Sequence, residues 1–78
     1  MSADEDLRDE VISVAVEARE MVDRADKALR EAESCETAHD LLANIDDALH
    51  EINDARKALT EARKVAAGLA MAEKKVTP

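Results

Sequence analysis

The sequence contains no phenylalanine, tryptophan or tyrosine. The side chains that bury the most area are missing, so any core must be built from aliphatic residues and alanine. There is one glycine, Gly68, and one proline, Pro78. With so few turn residues and so few strand formers, the composition is that of long helices or coiled coils. The cluster Val11, Ile12, Val14, Val16 is the sole β-like run, and its flanks read as helix. A single cysteine, Cys35, excludes an intrachain disulfide and fits a reduced thiol. No apolar run approaches a membrane span. The opening residues are acidic and polar and do not read as a signal peptide. A cytoplasmic location is expected.

No P-loop, GxGxxG, CxxC, HExxH or EF-hand loop occurs. A non-enzymatic role is expected, with no cofactor and no small-molecule substrate. The formal net charge of -8 disfavours phosphate backbones and anionic membranes as partners.

What is present is helical periodicity. From Leu7 the apolar positions run Leu7, Val11, Val14, Ala18, Met21, Ala25, Ala28 and Ala32. From Thr37 they run Leu41, Ile45, Ala48, Ile52, Ala55, Leu59, Ala62, Ala66 and Leu69. Steps of four and three alternate in both, which is the repeat of a helix showing one seam to another helix. Ala15, Val22 and Leu29 widen the first stripe, and Leu42 and Leu49 widen the second. Pairs such as Glu20–Arg24 and Asp23–Lys27 have the acid-first i, i+4 order, each adding about 0.2–0.5 kcal/mol.

Ser2 with Glu5 reads as a capping box, so a helix is expected from about residue 3 to 33. Ser34-Cys35-Glu36-Thr37 is a cluster of weak helix formers, and Thr37 with Asp40 resembles an N-cap. The turn is placed at 34–37 and a second helix at about 38–75. The rival is one uninterrupted helix about 110 Å long. Charge favours the hairpin. Asp4, Glu5, Asp6, Asp9 and Glu10 would then lie beside a segment holding Arg56, Lys57, Arg63, Lys64, Lys74 and Lys75. Gly68 admits two readings, close packing against another helix or a fraying last segment. The expected fold is a single all-α domain over 1–78, an antiparallel, coiled-coil-like two-helix hairpin. Two helices cannot enclose stripes this broad, so pairing of hairpins into a dimeric four-helix bundle is expected. A groove or helix of another protein would serve equally well.

Candidate polar sites are weak. His50 lies one turn from Asp46 and Asp54, but a metal needs more ligands than this helix surface offers. Cys35 and His39 are four apart, and only a dimer meeting at its turns would double them into a ligand set. Neither is assigned as a metal site. Arg56, Lys57, Arg63 and Lys64 form a basic ridge that could touch RNA, yet no aromatic residue is available to stack bases. Glu33, Glu36, Asp40, Asp46 and Asp47 gather near the turn, where a dense carboxylate surface could imitate DNA.

The leading expectation is a noncatalytic interaction, adaptor or assembly module acting through helix–helix packing, with itself or another protein as partner. Its interaction seam is expected at Leu7, Val11, Val14, Met21, Leu41, Leu42, Ile45, Leu49, Ile52 and Leu59. Two alternatives are an acidic inhibitor that occupies a basic groove of a nucleic-acid-binding protein, and a small RNA-binding bundle using the basic ridge.

Overall fold

The computed structural model describes the backbone of residues 3–76 and the side chains of residues 5–73. Two helices account for nearly all of it: α1 (Ala3–Glu33) and α2 (Ala38–Val76), packed antiparallel along their length. The hairpin is a flat rod of 61 × 18 × 14 Å. The uninterrupted single helix is excluded. The expected Ser2 cap and the Thr77–Pro78 end lie outside the described residues.

The turn forms without glycine because none of its residues needs a left-handed backbone. Among the described residues no φ is positive. α1 instead closes by tightening: Ser34 N–H donates to the Glu31 carbonyl and Cys35 N–H to that of Ala32, both at 3.2 Å. The Ser34 hydroxyl and the Cys35 thiol add contacts to the Glu31 carbonyl, each at 3.2 Å. α2 opens as its sequence indicates. Asp40 N–H donates to Thr37 Oγ1 at 3.1 Å, and Leu41 N–H to the Thr37 carbonyl. Thr37 is therefore the N-cap, and Asp40 brings negative charge to the positive end of the helix dipole.

The seam between the helices is made of alanine. Ala18 and Ala25 from α1 meet Ala48, Ala55 and Ala62 from α2, and all five are buried. No larger side chain is fully enclosed among the described residues. Val11, Val14, Met21, Ala28 and Ala32 flank this row on α1, half-buried. So α1 follows its predicted seam, apart from an exposed Leu7.

On α2 the prediction is corrected by one row. Ala48, Ala55, Ala62 and Leu69 do face α1. The companion row is Asn44, Glu51, Ala58 and Ala72 rather than Ile45, Ile52, Leu59 and Ala66, all of which remain exposed, and Leu41, at the start of the alanine row, is exposed too. The physical reason is an ambiguity of the repeat. Stepping from Ala48 to Ala55 through Ile52 or through Glu51 gives the same alternation of four and three. Packing alanine on alanine lets the backbones approach closely, and bulky residues are then accommodated beside the contact rather than in it. Polar links fix the choice. Arg24 Nε lies 3.1 Å from Glu51 Oε2, and Asn44 Nδ2 lies 2.9 Å from Cys35 Sγ. The Arg24–Glu51 pair is partly exposed, at 56% and 24% of the side chains, so it contributes about 0.2–1 kcal/mol and acts mainly on register.

Gly68 is exposed, and a Cβ built on it meets no atom within 4 Å. Close packing of another helix at this position within the hairpin is therefore ruled out.

Candidate interaction face

The row shift on α2 concentrates the large apolar residues on one side of the rod. Val22 of α1 lines a shallow groove with Ile52, Ala55 and Leu59 of α2, so these four lie on the same flat face. One heptad along the antiparallel pair, Leu29 comes level with Ile45. One heptad the other way, Ala15 comes level with Leu59. Leu42 and Leu49 sit one turn outward on α2, beside Ile45 and Ile52. Towards the open end a second groove on this side is lined by Val11, Ile12, Ala66, Leu69 and Ala70, with Glu5, Arg8 and Glu73 at its edge.

These side chains are not covered. Leu42 is 58% exposed, Leu49 52%, Val22 49%, Leu59 46%, Leu29 45% and Ile52 44%. Scattered surface leucines are ordinary, whereas these form one contiguous apolar face. The whole chain exposes 6392 Å², whereas a compact protein of 8.5 kDa exposes ~4,650 Å². Part of that excess is the elongated shape, and part is this face.

The other side of the rod is polar. Glu10 and Glu61 border a small groove over Val11, Val14, Ala62 and Val65. Arg24 and Glu51 close the middle. The expected interaction residues therefore divide. Val11, Val14 and Met21 are half-buried and hold the hairpin together. Leu41, Leu42, Ile45, Leu49, Ile52 and Leu59 are exposed and available to a partner.

The charged candidates are all on the surface. Glu33, Glu36, Asp40, Asp46 and Asp47 are exposed near the turn. Glu31, Glu36 and Asp40 line an open concavity there with Ser34, Cys35 and Asn44. Arg56 and Arg63 edge the apolar groove beside Val22, while Lys64 turns to Glu61 at 3.4 Å. Arg56 and Lys57 also line a shallow surface with Asn53, Thr60 and Glu61. His50 Nε2 lies 3.4 Å from Asp54 Oδ2, with 76% of the imidazole exposed. Cys35 is half-buried and occupied by the Glu31 carbonyl and Asn44, so its geometry is that of a turn residue rather than half of a pair with His39. Among the described residues no group of three or more His, Cys, Asp or Glu side chains is placed to hold a metal ion. No described helix is long and apolar enough to cross a membrane.

No protein-family model, curated protein or solved structure matches the chain. The functional reading rests on the physical chemistry of its two faces.

The sequence missed which α2 row is exposed. One signal was available: Asn44 and Glu51 are spaced seven apart, as are Ala48 and Ala55. A polar row beside an alanine row is what a close-packed hairpin can bury at its edge, with charged ends reaching solvent.

Proposed function

We propose that the chain is a noncatalytic interaction module that works by helix–helix packing, and that its first partner is a second copy of itself in a four-helix bundle. One observation carries the reading. The interhelical seam is alanine, whereas Val22, Leu29, Leu42, Ile45, Leu49, Ile52 and Leu59 are left on one open face. Alanine burial removes little apolar surface, and burial yields about 25 cal/mol per Å². A hairpin of this size whose fully buried residues are all alanine is marginal against its ordering entropy. Covering the larger residues supplies the missing stabilisation, and face-to-face pairing of hairpins does so with the least additional structure.

The test is molar mass by light scattering over a range of concentrations, for the native chain and for Ile52→Asp and Leu59→Asp. A dimer that the two substitutions dissociate is expected. A well-folded monomer at all concentrations would sink the self-association reading. The acidic-inhibitor reading has its own signature: binding to a basic protein that falls steeply with salt and is lost when Asp46 and Asp47 become Asn. Apolar association depends on salt only weakly.

A further inference from the structure

Resting on that dimer reading, we infer that the second copy packs end for end, with the two turns at opposite ends of the bundle. The rim of the apolar face carries the argument. On the turn half of the face, the outer row of α1 holds Asp26 and Glu33, both exposed. From the middle of the rod outward, the outer rows hold Arg19 from α1 and Arg56 and Arg63 from α2, also exposed. Asp26 Oδ2 already meets Arg30 Nε at 2.9 Å within α1, which leaves Glu33 as the more available acid. The face is thus acid-rimmed towards the turn and carries arginines from its middle outward, with Glu5 and Glu73 beside Arg8 at the open end.

A two-fold symmetric pair of flat hairpins has two ways to close. With the turns together, each α1 lies over the α2 of the other copy at the same level. Val22 is level with Ile52, so Arg19 would come level with Ala55 and lie beside Arg56 of the second copy. Glu33 would be pressed over Leu42. The first is unfavourable by like charge, whereas Glu33 meets an apolar position in either arrangement. The crowded carboxylates at the turns, Glu31, Glu36 and Asp40 among them, would also meet their copies.

With the copies end for end and the pivot near Leu49–Ile52, α1 lies on α1 and α2 on α2. Leu42, Ile45, Leu49, Ile52 and Leu59 then interleave with themselves across the pivot. Arg19 falls near Asp26 and Glu33 of the second copy, and Arg63 reaches the turn of the second copy near Glu36. In a chain of net charge -8 this arrangement also keeps the two carboxylate clusters at the turns apart. With that pivot the two rods overlap over ~40 Å of their 61 Å length, and at 18 Å wide the shared face offers ~700 Å² to each copy, slightly under the ~800 Å² per partner of a standard interface.

The test is a distance between spin labels at a single introduced cysteine, Glu36→Cys, in a Cys35→Ser background, together with light scattering. End-for-end packing places the labels ~40 Å apart, from about fourteen residues on each side of the pivot at 1.5 Å per residue. Turns-together packing places them within ~20 Å, about two helix diameters. A dimeric mass with the long distance supports the proposal. A dimeric mass with the short distance overturns it and leaves the dimer standing. A monomeric mass removes both. Because the Cys35→Ser background loses the contacts to Glu31 and Asn44, a second measurement uses the native turn. Arg19→Glu is expected to weaken dimerisation several-fold at low salt, and Glu33→Arg in the same chain to restore it. Turns-together packing gives the opposite sign, since Arg19→Glu would then relieve its repulsion with Arg56. Tighter dimerisation of that variant overturns the proposal.

Discussion

Replacing Ile52 by alanine separates the two faces of the rod quantitatively. Ile52 is 44% exposed in the hairpin. Full burial of an isoleucine side chain contributes about 1.5–3 kcal/mol, so covering the remaining 44% contributes about 0.7–1.3 kcal/mol per copy. A symmetric dimer contains the site twice. Truncation should therefore cost about 1.3–2.6 kcal/mol per dimer, roughly a 10- to 80-fold rise in the dissociation constant. Sedimentation equilibrium measures this directly. Val16→Ala is the matched control. Val16 is 50% exposed, much like Ile52, but it lies on the outer edge of α1, away from α2 and from the apolar face. Its truncation should leave the dissociation constant within about a factor of two, a change of about 0.4 kcal/mol. Equal effects from the two substitutions, or no effect from Ile52→Ala, would refute the assignment of the face.

Three further outcomes follow from the hairpin itself. Gly68→Ala should stabilise by about 1 kcal/mol and raise the thermal midpoint by roughly 4–8 °C, since the position is helical and the new methyl meets nothing. Circular dichroism melting reads it. Thr37→Ala removes the acceptor for Asp40 N–H and should destabilise by about 0.5–2 kcal/mol in urea unfolding, with Thr37→Ser retaining most of the cap. Ala55→Leu forces a large side chain into a seam where Ala55 is 3% exposed, and should destabilise by about 1–3 kcal/mol. An unchanged midpoint for Ala55→Leu would mean that the helices are not closely approached there.

Much of the fold was legible because its signals are local. The N-cap at Thr37 depends on residues 37–41, and the structure places it as read. The helix bounds follow from the apolar repeat and the weak helix formers at 34–37. α1 has apolar residues on both sides of its alanine row, and the structure half-buries Val14, Met21 and Ala28 while leaving Ala15, Val22 and Leu29 exposed. α2 has apolar residues on one side of its alanine row and polar residues on the other, and period alone cannot say which pair of rows turns inward. Hydrophobicity pointed to Ile52 and Leu59, whereas close alanine packing and the Arg24–Glu51 register took Glu51 and Ala58 instead.

The sequence by itself therefore determined two helices, their turn and the identity of the alanine row, because each is written in contacts between residues at most a few turns apart. The tertiary structure alone decided which side of α2 faces α1. That choice is made by how closely two backbones can approach and by side-chain pairs within the chain that are 9 and 27 residues apart. It turns the chain's largest aliphatic residues outward, so an apparent hairpin core becomes a surface.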